Sequence, residues 1–266
     1  MEKEINIIVD DDKCWLLNTT LRLVTLLEKN NFHINSIWVL PNKLSKLKGL
    51  RISLWYLRIF GFYNFVKMSI FYLIVLFKNF NRKIFDFNDL GFRKRIKINK
   101  ITSFNDENFL KLLKNKKIKY NLIFTNHIIP SKILNLRNNF FINKHASLLP
   151  SFQGLMPYIR TKIANSFNGI SIHLVTEKID IGRILFQIKF KKDYQSMIDF
   201  YLDVFNKTPK HILESIKNLE NNFFYRPKYK ASKFSLPNKA DFNKFCECGG
   251  NIINIKDFNN INKIIN

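Results

Sequence analysis

Three side chains in the middle of the chain have the types and spacing needed for group-transfer chemistry. Asn143 and His145 lie two residues apart after a short apolar run, so an extended backbone points both side chains to the same face. A second strand is predicted over 169–176 from its alternating pattern, and Asp180 follows just past its end. Open α/β sheets place their sites outside the carboxyl ends of strands, which predicts that these three groups converge.

An amide, an imidazole and a carboxylate held together can stabilise an oxyanion and manage a proton. Asn143 offers its amide NH2, and His145 offers a ring N–H or, beside the negative charge of Asp180, a full imidazolium. Asp180 can also hold a water molecule that carries a proton away. Because this chemistry needs no covalent nucleophile, Ser147 is interpreted as a structural residue of the following turn.

The sequence around these groups resembles a known family. The run N-x-H-x-S-L-L-P spans 143–150, Gly154 follows, and I-D-x-G spans 179–182, with 35 positions from the histidine to the aspartate. This combination resembles the formyltransferases that use 10-formyltetrahydrofolate, and it covers roughly residues 119–190. Lys144 stands where many members carry an apolar residue, and on an alternating strand its side chain is expected to point away from the Asn/His face.

The resemblance implies a Rossmann-like α/β fold, with a mostly parallel sheet and helices on both faces. It implies catalytic roles for Asn143, His145 and Asp180, a 10-formyltetrahydrofolate co-substrate and no metal. In the family, the equivalent of the loop at 126–130 lines the pterin pocket mainly with backbone groups, although ordinary core packing is the alternative role for its two isoleucines. The expected cofactor-binding residues are Ile128, Ile129, Pro130, Asn143 and Asp180.

The element pattern predicts one large formyltransferase-like domain over 1–222, with an aromatic-rich helical insertion at about 50–82, and a short C-terminal extension over 223–266. The first strand leads into three aspartates at 10–12 without any glycine, so this turn cannot form a phosphate-cradling loop. A solvated cluster at a helix start is the interpretation for these aspartates. Other predicted segments are strands at 36–40, 120–125 and 184–190 and a basic connector at 81–101.

A formal net charge of +24, from 44 Lys and Arg against 20 Asp and Glu, favours acidic partners such as nucleotide sugars, folate polyglutamates, RNA or anionic membranes. An AT-rich coding bias toward Lys and Asn is the alternative cause. The three cysteines, Cys14, Cys246 and Cys248, lack the second pair that a metal site would need, which favours a reducing compartment. No signal peptide is expected, so a cytoplasmic location is predicted, with peripheral membrane association as an option.

The aromatic-rich segment 52–80 has three interpretations. Its longest uninterrupted apolar run, 70–77, is too short to cross about 30 Å of hydrocarbon as a helix, which disfavours a transmembrane span. Helices packed on the sheet or on a dimer partner are the first interpretation. An interfacial helix that docks on anionic lipid is the second.

The resemblance leaves the amine acceptor open. Glycinamide ribonucleotide formyltransferases carry a glycine-rich loop after the first strand, methionyl-tRNA formyltransferases a full second domain, and formyltetrahydrofolate hydrolases an extra N-terminal domain. This chain shows none of the three, which favours the members that formylate nucleotide-linked amino sugars in surface polysaccharide synthesis. Basic residues of the first half are expected to hold the phosphates, and Trp15 or Trp55 to hold the base. Methionyl-tRNA and glycinamide ribonucleotide remain the alternative acceptors, and no specific nucleic acid is expected.

A different class stays open, a non-catalytic, basic membrane- or nucleic-acid-binding protein on a degenerate transferase scaffold. The presence of all three catalytic residue types argues against it. Among the remaining histidines, His33, His173 and His211 are interpreted as core groups, whereas His127 adjoins the predicted folate loop.

Overall fold

A sheet of seven strands organises the computed structural model of the chain, which describes residues 3–114, 118–136 and 139–265. The strands are β1 (Lys3–Asp10), β2 (Phe32–Leu40), β3 (Lys43–Leu44), β4 (Leu47–Lys48), β5 (Lys97–Lys100), β6 (Ile118–Phe124), β7 (Phe140–His145), β8 (Gln153–Gly154), β9 (Gly169–Leu174), β10 (Ile184–Lys189) and β11 (Lys233–Phe234). The helices are α1 (Leu16–Glu28), α2 (Leu50–Asn81), α3 (Phe87–Lys94), α4 (Glu107–Leu113), α5 (Ser131–Leu134), α6 (Pro157–Ile163), α7 (Met197–Glu220), α8 (Lys239–Glu247), α9 (Ile255–Asn259) and α10 (Asn262–Ile265).

The sheet order is β10-β9-β7-β6-β1-β2-β5. The five strands from β7 to β5 pair in parallel, whereas β9 runs antiparallel to both of its neighbours. The predicted mostly parallel α/β fold is therefore confirmed. The two short pairs, β3–β4 and β8–β11, lie outside this sheet.

Both faces of the sheet are covered, as the alternation of side chains along β1 shows. Ile5 and Ile7 enter the larger hydrophobic core together with residues of α1 and α7. Ile8 points the other way and joins a smaller core that contains Phe109 of α4. Because successive side chains of a strand face opposite sides, one apolar run supplies both cores.

The segment 81–101, predicted as a basic connector, contains helix α3 and edge strand β5. Asp86 caps α3 by accepting hydrogen bonds from the backbone N–H groups of Asn88 and Asp89. Strand β5 has the sequence KINK, pairs only with β2 and leaves both of its lysines exposed. Charged edge strands of this kind resist pairing with other chains. Their polar residues resemble those of a connecting segment, which explains the sequence prediction.

The C-terminal part of the chain completes the core of the domain. Backbone hydrogen bonds join Met197 N to Asn251 O at 2.8 Å and Ile198 N to Ile252 O at 3.0 Å. Arg22 of α1 donates to the carbonyl oxygen of Lys263 at 2.8 Å. Five isoleucines of this part are buried in the larger core, namely Ile252, Ile253, Ile261, Ile264 and Ile265.

Helix α2 is broken at Gly61, whose backbone is non-helical with φ 81° and ψ 165°. Its inner face packs on α1, where Phe71 stacks on Trp15 with ring centroids 5.8 Å apart and Asn79 accepts a hydrogen bond from Asn18 at 2.9 Å. Within the described ranges, α2 alone is long and apolar enough to cross a membrane by length and composition, and 22% of its most apolar window is buried.

Candidate active site

Strands β7 and β9 bring three polar side chains to one face of the sheet. Asn143 and His145 alternate along β7, and Asn143 lies directly opposite His173 in the antiparallel register with β9. Asp180, in the loop after β9, reaches back to both imidazoles. Its Oδ2 lies 3.5 Å from His145 Nδ1, and its Oδ1 lies 3.6 Å from His173 Nε2. The three residues predicted to be catalytic thus line one cavity, with a second histidine among them.

Two glycines of the family-like motifs hold the Asp180 loop in place. The backbone N–H of Gly154 donates a 2.8 Å hydrogen bond to Asp180 Oδ2, and Asp180 itself has a positive φ of 58°. A side chain at Gly182 would overlap the carbonyl group of Leu174, because the loop returns tightly against the end of β9. Gly154 has a positive φ of 102°, and a side chain there would overlap the carbonyl group of Phe234, so both positions require glycine.

The backbone partners of the two imidazoles fix which ring nitrogens carry protons. His145 Nε2 lies 2.8 Å from the carbonyl oxygen of Phe152, and His173 Nδ1 lies 2.9 Å from that of Leu174. A carbonyl oxygen only accepts, so both of these nitrogens are N–H donors. The opposite nitrogen of each ring, His145 Nδ1 and His173 Nε2, faces the carboxylate of Asp180.

The two imidazoles and the carboxylate thus lie close together in a buried place. Burial lowers the pKa of His173 to about 4, although the charge of Asp180 acts in the opposite direction. His173 is consequently neutral near pH 7, and its Nε2 has no hydrogen-bond partner among the residues the structure describes. The lone pair of His173 Nε2 and the carboxylate of Asp180, 3.6 Å away, would both be satisfied by a group with N–H or O–H bonds placed between them.

The amide of Asn143 is oriented by the backbone N–H of the next residue. Its Oδ1 accepts a 2.8 Å hydrogen bond from the N–H of Lys144. The NH2 end is therefore the part of the side chain that serves a molecule in the cavity. The NH2 group of Asn143 can stabilise a negative oxygen, and the imidazole and carboxylate groups beside it can take up a proton.

The cavity has a volume of about 660 Å³ and extends from these groups to the ends of β1 and β6. Ile128 and Ile129 lie on its wall as expected for the predicted folate loop, with Ile128 exposed and Ile129 buried. Pro130 does not line the cavity and instead precedes helix α5. His127 lines the same wall and donates from Nε2 to the carbonyl oxygen of Pro41 at 2.9 Å.

The aspartates after β1 are not the solvated cluster that was expected, since only Asp11 is exposed. Asp10 is buried, and it accepts hydrogen bonds from the Thr125 hydroxyl and, at 3.0 Å, from the N–H of Asn126. Burial raises its pKa to about 7. Asp12 accepts from the N–H groups at the start of α1, and burial raises its pKa as well.

Lys144 reaches the cavity from the other face of the sheet. Its side chain leaves the Asn/His face as predicted, and Nζ lies 4.0 Å from the centre of the Phe205 ring of α7. Burial lowers its pKa to about 8, partly offset by the charge of Asp12. A buried amine thus borders the acidic end of the cavity.

The basic residues around the cavity come from both halves of the chain, whereas the sequence predicted basic residues of the first half. Lysines of both halves of the chain line it, namely Lys43, Lys46, Lys178 and Lys233. Neither Trp15 nor Trp55 lines it, because Trp15 stacks between Phe71 and Phe205 and Trp55 packs on other rings of α2. Among the described residues, the phenylalanine rings that border the cavity are Phe124, Phe205 and Phe234.

The interpretation of three histidines as core groups fails for two of them. His173 is buried, but it lies in the site, and only the strand register that places it opposite Asn143 reveals this. His33 is exposed on β2. His211 is buried and stacks on Phe186, with ring centroids 4.5 Å apart, so it is the core group that was expected.

No cluster of three or more His, Cys, Asp or Glu side chains within 3–114, 118–136 and 139–265 has an arrangement that could hold a metal ion.

Comparison with known sequences confirms the resemblance in the region of the site. Residues 97–199 match the family described as Formyl transferase. A methionyl-tRNA formyltransferase from Pelagibacter ubique is 38% identical over 97 residues, which are 35% of this chain and 30% of that protein. The chain spans about a third of the length of the curated relatives it matches.

Several solved structures have the same fold. A sugar N-formyltransferase from a Shewanella species has a TM-score of 0.55 at 18% identity, covering 99% of this chain and 88% of its own. An N-formyltransferase from Helicobacter canadensis, in complex with folinic acid and dTDP-3-aminofucose, has a TM-score of 0.53 at 16% identity and coverages of 94% and 81%. The phosphoribosylglycinamide formyltransferase from Streptococcus pneumoniae has a TM-score of 0.53 at 13% identity and coverages of 82% and 99%.

Proposed function

We propose that this chain transfers a formyl group from 10-formyltetrahydrofolate to a primary amine on a nucleotide-linked amino sugar. The observation that carries the proposal is the convergence of Asn143, His145, His173 and Asp180 at one end of the cavity. An amine nucleophile brings N–H bonds to His173 Nε2, which has no hydrogen-bond partner among the described residues, and to the carboxylate of Asp180. A formyl carbon brings the oxygen that the free NH2 of Asn143 can stabilise.

The reaction would proceed in two stages within this geometry. The amine attacks the formyl carbon, and the oxygen of the resulting tetrahedral intermediate develops a negative charge next to the amide of Asn143. The attacking nitrogen becomes positively charged and loses a proton to the acceptor set formed by His145, His173 and Asp180. The intermediate then releases the folate nitrogen, which must regain a proton, and the same groups can return it.

The folate is assigned to the side of the cavity formed by the end of β6 and the following loop. Ile128 and Ile129 offer an apolar wall for a flat ring, and Val175 lies on the same cavity. The backbone groups of this loop offer donors and acceptors to ring nitrogens. This assignment places the formyl group between the folate side and the acceptor side, at Asn143.

The acceptor is assigned to the lysine-rich mouth. Lys43, Lys46, Lys178 and Lys233 can neutralise a diphosphate, and Phe234 can stack on a base. The similar folds include sugar N-formyltransferases, one of them bound to a nucleotide-linked amino sugar. A nucleotide sugar therefore fits the charge and the size of this part of the cavity.

A second acceptor, methionyl-tRNA, is favoured by a separate observation. Two curated relatives that match this chain, 38% identical over 97 residues and 31% identical over 121 residues, are methionyl-tRNA formyltransferases. The net charge of +24 would also favour binding of RNA.

The three cysteines of the described chain are free, and Cys14 is buried. Free thiols support a reducing compartment such as the cytoplasm as the place of the reaction.

The test measures formyl transfer from 10-formyltetrahydrofolate by mass spectrometry. The acceptors are a panel of amino-sugar nucleotides, glycinamide ribonucleotide and charged initiator tRNA. Turnover with an amino-sugar nucleotide is expected. Turnover with the tRNA alone, or with glycinamide ribonucleotide alone, would refute the assigned acceptor and leave the formyl transfer standing.

The catalytic assignment is tested with His145→Ala and Asp180→Asn, each expected to lower kcat by about a hundredfold or more. Matched controls are His33→Ala and Asp11→Asn, because both residues are exposed and His33 lies away from the cavity. Full activity of either catalytic variant, with intact folding by circular dichroism, would refute the assignment.

A further inference from the structure

The outer face of helix α2 carries an apolar stripe that no described part of the chain covers. Its members recur every three, four or eight residues, which places them on one side of a helix. From the first to the last it runs for about 27 Å at 1.5 Å per residue. The stripe consists of Phe62 (75% exposed), Ile70 (46%), Leu73 (61%), Phe77 (65%) and Phe80 (60%).

The sequence around the stripe contains only positive charge. Residues 29–85 include ten Lys and Arg and no Asp or Glu. Arg51 and Arg58, both on α2, are exposed. The charges carried by α2 itself are therefore all positive, in addition to the positive field of the whole chain.

From the stripe and its charge we infer that α2 docks this protein on the surface of an anionic lipid membrane. The apolar side chains would enter the boundary between headgroups and acyl chains, and the flanking cations would attract the lipid phosphates. A helix that combines an apolar stripe with basic flanks is the kind of element that binds in this way. This inference is independent of the proposed enzymatic function.

The charge of α2 argues against a second copy of the chain as the partner that covers the stripe. A dimer through α2 would bring the four cations of this helix, Arg51, Arg58, Lys67 and Lys78, near the same four of the other chain, and α2 has no acidic residue to pair with them. Like charges at a contact are unfavourable. An anionic lipid surface complements the same residues.

The contacts on the inner face of α2 argue against insertion of this helix across the bilayer. The inner face of α2 holds Phe71 against Trp15 and Asn79 against Asn18, so these contacts would be lost in a spanning helix. The break at Gly61 also interrupts the helix. The helix therefore lies on the membrane with its outer face, while its inner face stays on the protein.

The hairpin β3–β4 connects this surface with the cavity. Lys43 and Lys46 of the hairpin line the cavity, and Leu50 begins α2 two residues after β4 ends. Docking of α2 would therefore hold the lysine-rich mouth near the lipid surface.

The experiment measures co-flotation of the full chain with lipid vesicles. One vesicle preparation is pure phosphatidylcholine, and the other is an equal mixture of phosphatidylcholine and phosphatidylglycerol. Binding to the anionic vesicles is expected at low salt, with a loss as salt rises, because the Debye length falls to about 3 Å at 1 M. Equal binding to both preparations would refute the role of charge.

The apolar part is tested with the double variant Leu73→Ser and Phe77→Ser, expected to weaken binding by about tenfold or more. Phe223→Ser, at an exposed position in the loop after α7, is the matched control and should bind normally. An unchanged affinity of the double variant would overturn the inference. A dimer in sedimentation that this variant dissociates, without any vesicle binding, would assign the stripe to a second copy instead.

A second pair of variants keeps the test independent of folding effects at the stripe. Arg51→Gln and Arg58→Gln are each expected to weaken binding to anionic vesicles about fivefold, whereas Lys210→Gln, at an exposed position of α7, should not. Equal losses for all three would mean that only net charge matters, which contradicts docking through α2. Retention of wild-type protein in membranes through an alkaline carbonate wash would overturn surface docking in favour of insertion.

Discussion

Replacement of Lys144 by methionine is expected to make the protein more stable at neutral pH. The ammonium group is held away from water at the acidic end of the cavity, and burial lowers its pKa to about 8. The pKa of a lysine in an unfolded chain is about 10.4. Between these two pH values the unfolded state binds more protons than the folded state, so the free energy of unfolding rises with pH. The charge of Lys144 therefore opposes folding fully below about pH 8 and no longer opposes it above about pH 10.

The size of the effect follows from the same two values. A difference of about 2.4 pKa units at about 1.36 kcal/mol each gives a cost of roughly 3 kcal/mol at pH 7, which is an upper bound because the amine borders the cavity. Methionine keeps the apolar stem against Phe205 and loses a cation–π contact of about 0.5–1 kcal/mol. The expected net gain is about 2 kcal/mol at pH 7 and near zero at pH 10.5.

The assay is urea unfolding of the wild type and of Lys144→Met at both pH values. Lys210→Met, at an exposed position of α7, is the matched control and should change stability by less than about 0.5 kcal/mol at either pH. A Lys144→Met variant that gains nothing at pH 7, or that gains equally at both pH values, would refute the reasoning that a desolvated charge is the cause.

Three other changes have defined outcomes. Gly182→Ala should lower the free energy of unfolding by about 2 kcal/mol or more, measured by urea titration, because its new methyl group would overlap the backbone at the end of β9. Arg160→Met should cost about 1–3 kcal/mol in the same assay, since it removes the bidentate pair with Asp241 that joins α6 to α8, and an unchanged stability would contradict this role. His173→Gln should lower kcat for formyl transfer about tenfold or more while the melting temperature stays within a few degrees, because one of three proton acceptors is weakened.

The sequence predicted the parts of the site that short spacings determine. Asn143 and His145 share a face because strand side chains alternate, and Asp180 follows the next strand closely enough to return to them. The sequence predicts a core position for His173, because its neighbours along the strand are apolar whether the histidine belongs to the core or to the site. Only the antiparallel register of β9 against β7 places it opposite Asn143, and a single sequence does not determine that register.

Long-range packing accounts for the other differences. Asp10 and Asp12 look like solvent-exposed acids in a sequence, yet the loop after β6 buries Asp10, and Asp12 is half-buried where it accepts hydrogen bonds at the start of α1. Trp15 was a candidate for base stacking, but α2 and α7 enclose it between Phe71 and Phe205. Neither outcome follows from local pattern, because the covering residues come from distant parts of the chain.

The contact between the first and the last helix has a consequence for synthesis of the protein. Arg22 of α1 donates to the carbonyl oxygen of Lys263, and Arg82 donates to that of Ile265. Both arginines are translated long before the carbonyl groups that receive them, and Ile261 and Ile264 complete a core that begins at β1. A ribosome-bound chain therefore carries an unfinished apolar core, together with the aromatic face of α2, until residue 265 has left the exit tunnel. Chaperones that bind nascent apolar segments could act on this chain during that interval.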